Sequence, residues 1–176
     1  MTDKSAVFFC SASNRIDPEY NQAAREVVRA ACLAGYGIVS GGSFRGTMGA
    51  VADTAAECGA PNKGCLPRFM DGLEHGSLTS LVWTDTMSER KEEMRRGTCL
   101  AVALPGGIGT MDELFETMVL AKLGRWSGTI IAYNFKGFFE PLKALLRHFV
   151  EEGMMEEEEF SMVHFPESIE EFKELI

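Results

Sequence analysis

The stretch CLAVALPGGIGTMDELFETM, residues 99–118, contains the three elements that decide the fold. Its first six residues are apolar without a break, which is typical of a strand buried on both faces of a sheet. The glycine-rich turn that follows leads into apolar residues at helical spacing, namely Met111, Leu114, Phe115 and Met118. A buried strand that runs through a glycine turn into an amphipathic helix is the repeating unit of a parallel α/β sheet.

The same alternation of strands and helices continues along the chain. Further strands are predicted at residues 6–10, 37–40, 63–66, 78–84 and 129–133, with a short apolar piece at 162–163. The first helix opens with Asp17 as N-cap and Pro18 as its first residue, and later helices are predicted at 88–96, at 138–152 and from Ile169 onward. No linker, repeat or low-complexity tract interrupts this pattern. We therefore expect one domain over residues 1–176, with an α/β fold in which helices cover both faces of a parallel sheet.

Charge and cysteine usage argue against several classes of protein. The 17 basic and 26 acidic side chains give a net charge of −9, which would repel a nucleic acid. The five cysteines form no CxxC pair and have no metal-ligand spacing, so we expect free thiols in a reducing compartment. No apolar run reaches the roughly 18 residues of a membrane span, and the N-terminus lacks the pattern of a signal peptide. These observations predict a cytoplasmic protein without a metal, membrane or nucleic-acid partner.

The turn PGGIGT, residues 105–110, is a candidate phosphate site. Ligands of open parallel sheets bind beyond the carboxyl ends of the strands, which is where this turn lies. Its glycines let the backbone approach a ligand, and the start of the following helix offers unpaired N–H donors and the positive end of its dipole. The candidate contacts are Gly106, Gly107, Gly109 and Thr110. A tight strand-to-helix turn without a ligand is the alternative interpretation.

A second glycine-rich loop, GGSFRGTMG at residues 41–49, follows a different predicted strand. Gly41 and Gly46 have the spacing of a P-loop, but Thr47 stands where the essential lysine would be. Neither loop contains the GxGxxG pattern. ATP hydrolysis and dinucleotide binding are therefore both disfavoured.

The segment MSERK, residues 87–91, lies where the fourth predicted strand ends. The guanidinium of Arg90 is a planar fork of donors suited to phosphate or ribose oxygens, and Lys91 adds a point charge. Such a tripeptide is also common on a solvated helix face. We expect it to lie beside the PGGIGT turn, which favours a binding role.

Taken together, GGSFRGTMG, MSERK and PGGIGT followed by MDE resemble the LOG family, whose signature PGGxGTxxE is preceded by a GGGxxGxMG loop and an MxxRK segment. The first turn, CSAS at residues 10–13, is similar to the family's CGSS-like turn. The resemblance implies a modified Rossmann-like fold, a homodimer and no cofactor. It also implies hydrolysis of the N-glycosidic bond of a purine nucleoside 5′-monophosphate, either AMP or an N6-modified nucleotide of the cytokinin type, to the free base and ribose 5-phosphate.

The same resemblance implies a role for individual residues. Arg90 and Glu113 match the catalytic residues, and the carboxylate would stabilise the positive charge that develops on the ribose. We expect Glu113 in the first turn of its helix, where the dipole favours an ionised carboxylate. The other implied substrate contacts are Ser13, Gly41, Gly42, Gly46, Met87, Lys91, Gly106, Gly107, Gly109, Thr110, Asp112 and Glu116.

Departures from the family pattern leave the identity of the base open. Ser43 replaces the third glycine of the first loop, Arg45 adds a charge, and Thr47 stands in place of the usual leucine. Val119-Leu120 occupies positions where relatives often carry a Thr-Trp pair.

Two other classes of protein also stay open. One is a nucleotide-binding sensor or carrier on the same fold, and the other is a decarboxylase, for which the chain shows no pyridoxal phosphate lysine context.

Overall fold

Seven parallel strands form one sheet in the computed structural model, which describes residues 4–176. The strands are β1 (Ser5–Phe9), β2 (Gly37–Ser40), β3 (Asn62–Pro67), β4 (Ser80–Thr84), β5 (Leu100–Ala103), β6 (Thr129–Ala132) and β7 (Val163–His164). Their order across the sheet is β4-β3-β2-β1-β5-β6-β7. Every pairing is parallel, as in the registers Phe8 to Ser40 and Phe8 to Val102. The prediction of a parallel α/β sheet is confirmed.

Helices cover both faces of this sheet. They are α1 (Pro18–Leu33), α2 (Gly46–Glu57), α3 (Met87–Arg95), α4 (Ile108–Lys122), α5 (Glu140–Glu151), α6 (Glu157–Phe160) and α7 (Ile169–Glu174), with 3₁₀ turns at Arg68–Met70 and Phe135–Gly137. One apolar cluster joins the sheet to α1, α2 and α7, and a second joins it to α3, α4 and α5. No helix within residues 4–176 combines the length and the apolar character that crossing a membrane requires.

Side-chain caps fix where two of these helices begin. The Asp17 carboxylate accepts a hydrogen bond from the Glu19 N–H at 3.0 Å, and Pro18 follows it as the first residue of α1, as predicted. At α3 the Thr86 hydroxyl accepts from the Glu89 N–H at 3.1 Å, and the Glu89 carboxylate accepts from the Thr86 N–H at 3.2 Å. This capping box places the start of α3 directly after β4.

The point where the strand order reverses lies between β1 and β5. The chain moves outward from β1 through β2 and β3 to β4, and then returns across the sheet to place β5 on the other side of β1. Loops that leave two neighbouring strands in opposite directions open a crevice, and ligands of such folds bind there. The loops that leave β1 and β5 are the CSAS turn and the PGGIGT turn.

One sequence-based prediction about α4 is wrong. The helix begins at Ile108 with Gly107 as its N-cap, so it includes the second half of the PGGIGT turn. Glu113 is consequently the sixth residue of α4 and lies in its second turn, beyond the N–H groups at the helix start. The helix dipole acts mainly on the first turn, so it is not what determines the charge of Glu113.

Candidate active site

A cavity of about 240 Å³ opens at the crevice between β1 and β5. Its walls come from the loops after these two strands, from the first turns of α2 and α3 and from the first two turns of α4. The lining residues are Cys10, Ser11, Ala12, Met48, Arg90, Gly107, Gly109, Thr110 and Glu113. A second cavity of about 250 Å³ shares Ser11 and Gly107 with the first and extends towards the aromatic rings of Tyr20 and Phe138. The two cavities therefore flank the PGGIGT turn, and the charged pair Arg90 and Glu113 lines only the first of them.

The Arg90 side chain is fixed in one orientation by its neighbours. Its Nε donates a hydrogen bond to the Cys65 carbonyl at 2.9 Å, and its Nη1 donates to the Glu113 carboxylate at 2.8 Å. Its guanidinium lies directly against Gly41, where a Cβ would collide with it. Only 7% of the arginine side chain is exposed. Gly41 thus leaves room for a buried guanidinium that would otherwise have to move.

Glu113 pairs with this arginine and is almost as buried, with 9% of its side chain exposed. Burial raises the pKa of the carboxyl, and the charge and hydrogen bond of Arg90 oppose that effect without cancelling it. The pKa of Glu113 is therefore above the ordinary glutamate value of 4.5. A buried carboxyl with a raised pKa at a cavity wall is suited to accept or donate a proton.

The PGGIGT turn leaves space for a ligand beside its backbone. Apart from the neighbouring residues and the helix's own backbone, no atom of residues 4–176 lies within 4 Å of the positions that a Cβ on Gly107 or Gly109 would occupy. Thr110 is 2% exposed, and its hydroxyl oxygen has no hydrogen-bond partner among residues 4–176. A buried hydroxyl without a partner carries a free-energy penalty, so an oxygen-rich ligand that supplied one would be bound favourably. The start of α4 also has no side-chain cap.

Comparison with known proteins agrees with this geometry. The family model described as "Possible lysine decarboxylase" matches residues 48–176, which include both MSERK and PGGIGT. A cytokinin riboside 5′-monophosphate phosphoribohydrolase of Mycobacterium tuberculosis is 34% identical over 153 residues, covering 86% of this chain and 81% of that protein. The chain belongs to the LOG family. A second LOG-family relative, from Rhodococcoides fascians and with the same name, is 31% identical over 157 residues, which cover 88% of this chain and 79% of the relative.

Solved structures agree on the fold of this LOG-family chain. The molybdenum cofactor binding protein of Rippkaea orientalis superposes with a TM-score of 0.73 and covers 98% of this chain and 94% of its own. Its sequence identity is 17%, so the likeness concerns the fold alone. The predicted Rossmann-like α/β architecture is confirmed.

The remaining glycines of the second loop contact protein atoms, not the cavity. Gly42 has a positive φ of 76°, and a Cβ there would lie 2.9 Å from the Gly64 Cα. Gly46 packs on the loop after β1, where a Cβ would lie 2.6 Å from the Ser13 carbonyl oxygen. Ser13 is exposed and lies outside the set of residues that line the two cavities. Gly42 and Gly46 hold the loops together, and the substrate contacts assigned to them and to Ser13 stay predictions.

Three other predicted substrate contacts form an ion-pair cluster between α3 and α4. The Lys91 ammonium lies 2.9 Å from the Asp112 carboxylate and 3.0 Å from that of Glu116. Burial lowers the pKa of Lys91, but the two carboxylates outweigh it and hold the pKa above its ordinary value. None of the three lines the cavity, and Met87 is exposed at the start of α3. The structure therefore brings Arg90 and Glu113 together with the PGGIGT turn and places this cluster at its side.

Two lining groups lie in the CSAS and GGSFRGTMG motifs but were not among the predicted contacts, namely the Cys10 thiol and the Met48 side chain. The carbonyl oxygen of Cys65, which holds Arg90 from behind the cavity wall, was not predicted either. Burial, and next the nearby Glu113, raise the pKa of Cys10, so its thiol stays uncharged. Within residues 4–176, no three His, Cys, Asp or Glu side chains are grouped as a metal site would require.

Proposed function

We propose that this protein hydrolyses the N-glycosidic bond of a purine nucleoside 5′-monophosphate, AMP or an N6-modified nucleotide of the cytokinin type, to the free base and ribose 5-phosphate. The observation that carries the proposal is the buried Arg90–Glu113 pair, which faces the same cavity as the open backbone of Gly107 and Gly109. The names of the LOG-family relatives describe this class of reaction.

The cavity provides a suitable group for each part of such a substrate. The phosphate fits the turn formed by Gly106, Gly107 and Gly109, where helix N–H groups and the Thr110 hydroxyl would donate hydrogen bonds. This arrangement holds the ribose beside Glu113, six residues after Gly107 in the same helix. The base then extends beyond the ribose, and the departures from the family pattern leave its identity open.

Glu113 and Arg90 would share the chemistry. As the bond between the ribose and the base breaks, positive charge develops on the sugar, and the Glu113 carboxylate stabilises it. The carboxylate also accepts a proton from the attacking water, whose oxygen bonds to the ribose carbon. The electron pair of the broken bond leaves with the base, which takes up a proton. Arg90 anchors the nucleotide and assists the departing base through its charge.

We expect AMP to be cleaved and adenosine to be left intact. The phosphate contacts come from the PGGIGT turn and the start of α4, and a nucleoside would forfeit all of them, so kcat/KM should fall by at least about 100-fold. Chromatographic detection of free adenine from both compounds measures the difference. Ribose 5-phosphate should inhibit the reaction with AMP, because it retains the phosphate. Similar rates with AMP and adenosine would contradict the assignment of this turn.

On acidification, the activity should be lost at a higher pH than the titration of an ordinary glutamate would produce. The ionised form of Glu113 is the working form, and burial raises its pKa above 4.5. Activity should therefore rise with pH through that raised pKa and be lost below it. The ionised form of Glu113 opposes folding. The protonated carboxyl favours the folded state at low pH, and this stabilisation is lost as pH rises through the folded pKa. The measurement is kcat/KM for AMP against pH, with circular dichroism as the control for folding, and full activity at pH 4.5 would be the opposite result.

We further propose one domain over the whole chain, a cytoplasmic location and a homodimer. Large apolar side chains on and near α4 remain accessible to solvent, with Val119 52%, Leu123 62% and Met154 80% exposed. A second copy packed on this face would cover them. The net charge of −9 supports a small anionic substrate held by local donors over a nucleic-acid partner.

A further inference from the structure

Three residues between β3 and β4 pair with the glycine-rich loop that follows β2. The Phe44 N–H donates a hydrogen bond to the Leu73 carbonyl at 3.0 Å, and the His75 N–H donates to the Gly42 carbonyl at 2.8 Å. The two residues between these bonds, one on each segment, form an antiparallel bridge. Residues 73–75, the strap, therefore hold the glycine-rich loop through backbone hydrogen bonds on both sides of that bridge.

The His75 side chain ties the strap to α2. Its Nδ1 accepts a hydrogen bond from the Ser77 backbone N–H at 3.2 Å. In the neutral ring the proton is therefore on Nε2, which lies 3.1 Å from the Asp53 carboxylate and donates to it. The Ser77 hydroxyl also donates to the Ala52 carbonyl at 3.3 Å. With only 14% of its side chain exposed, His75 is packed between the strap and α2.

Asp53, the acceptor for His75, is itself held by α1. The other oxygen of its carboxylate pairs with the Arg25 guanidinium at 3.2 Å, and Arg25 also donates to the Thr54 hydroxyl at 3.2 Å. The position of the Asp53 carboxylate is therefore set by α1 and α2 together. A donor to its free oxygen anchors the strap to the packed helices of the domain.

The loop that the strap holds lies against Arg90. Gly41 packs so closely on the arginine that a Cβ there would collide with Nη2 and would lie 2.7 Å from the Met48 sulfur. Met48, in the first turn of α2, lines the same cavity as Arg90. A shift of this loop would therefore change the space around the guanidinium. The PGGIGT turn follows a different strand, β5, and would keep its place.

We propose that His75 is a positioning residue, which keeps Gly41 and Met48 in place beside Arg90 by tying the strap to Asp53. This role rests on the proposed function, because the effect reaches the reaction through Arg90. His75 lies outside the sets of residues that line the two cavities, so it acts without touching the substrate. It supports the orientation of Arg90 towards Glu113 and leaves the phosphate contacts unchanged.

Replacing His75 with leucine should lower kcat for AMP without a comparable change in KM. The leucine removes both the donor to Asp53 and the acceptor of the Ser77 N–H. A small displacement of groups around a reacting centre is costly, so kcat should fall by about 10-fold or more, whereas KM should change by less than about twofold, since the phosphate contacts remain. Hydrogen exchange in the peptides that contain Phe44 and His75 should become at least about tenfold faster. A merely structural role would lower the urea midpoint and leave kcat of the folded protein unchanged.

Two further variants separate the two ends of the imidazole. His75→Gln places an amide N–H near the position of Nε2 and keeps a donor to Asp53. His75→Asn keeps only an acceptor for the Ser77 N–H, as in an Asx-turn. His75→Gln should therefore recover most of the lost kcat, and His75→Asn should not. The control is His148→Leu, the same replacement at an exposed position on α5, which should leave kcat, KM and hydrogen exchange as in the wild type.

The results distinguish the role of His75 from the proposed function. Adenine release by the wild type and equally fast release by His75→Leu would overturn the role of His75 alone. A wild type that releases no base from any nucleoside monophosphate would count against the proposed function, and hydrogen exchange would still decide whether His75 holds the loop. Unchanged exchange in His75→Leu would overturn the proposal. Should His75→Leu fail to fold, equal kcat in His75→Gln and His75→Asn would overturn it as well.

Discussion

The Glu113→Gln variant is expected to turn over AMP about 10²–10⁴ times more slowly than the wild type, the usual scale for a positioned acid–base group. The glutamine keeps the size of the side chain and can still accept the hydrogen bond that Arg90 donates at 2.8 Å. It lacks the charge that would stabilise the developing positive ribose and the site that would take a proton from water. The loss should therefore be confined to the chemical step.

Nucleotide binding separates this role from a purely structural one. The phosphate contacts come from the PGGIGT turn, so the Kd for AMP should change far less than kcat when both are measured on the folded variant. The control is Glu93→Gln, which removes a partly buried carboxylate that pairs with Arg96 at the same distance of 2.8 Å. This control should keep normal turnover. Near-normal turnover in Glu113→Gln would instead reject the catalytic role of Glu113, and lost binding with normal single-turnover chemistry would make Glu113 a binding residue.

The fold could be predicted because its strands and helices leave different apolar periods in the sequence. The run Gly37–Ser40 has the exact bounds of β2, and residues 99–104 contain β5. Caps made of side chains could also be predicted, as the N-cap Asp17 followed by Pro18 shows. The order of the strands could not be predicted, because the apolar period of a strand does not indicate which strand lies beside it.

The start of α4 could not be predicted, because its cap is made of backbone. Gly107 has an extended conformation and no side chain, and Ile108 is 90% exposed, so neither resembles a helix start. The consequence was functional. The predicted helix start placed Glu113 one turn too early. The charge state of Glu113 was therefore attributed to the helix dipole, whereas burial and Arg90 determine it.

The candidate site could be predicted as a set of motifs but not as a set of contacts. Arg90 and Glu113 meet only because the chain crosses the sheet between β4 and β5, which brings α3 against α4. The same packing pairs Lys91 with Asp112, two charges that the motifs alone assign to the substrate. The Cys65 carbonyl that holds Arg90 is a backbone group, and a backbone acceptor leaves no trace in residue type.

Replacing Arg90 should reduce both activity and stability. In Arg90→Met the buried Glu113 carboxylate and Cys65 carbonyl lose their donor, and breaking a buried ion pair from one side costs about 3–5 kcal/mol. The urea midpoint should fall accordingly. Arg96→Met is the matched control, because Arg96 is 61% exposed and its loss should cost at most about 1 kcal/mol. Should Arg90→Met fail to fold, Arg90→Lys keeps the charge but loses the planar fork, and kcat for AMP should still fall by at least about 100-fold.

A double variant tests whether the stability loss arises from the charge left behind. Adding Glu113→Gln to Arg90→Met replaces a buried unpaired carboxylate with a neutral amide, so the free energy of unfolding should recover by about 1–3 kcal/mol although neither variant is active. The measurement is a urea double-mutant cycle over the wild type, the two single variants and the double variant. A double variant that is less stable than Arg90→Met would show that Glu113 is not held in the buried pair by Arg90. Recovery of stability without activity would instead show that the loss in Arg90→Met arises from the buried carboxylate left unpaired, and that activity requires both members of the pair.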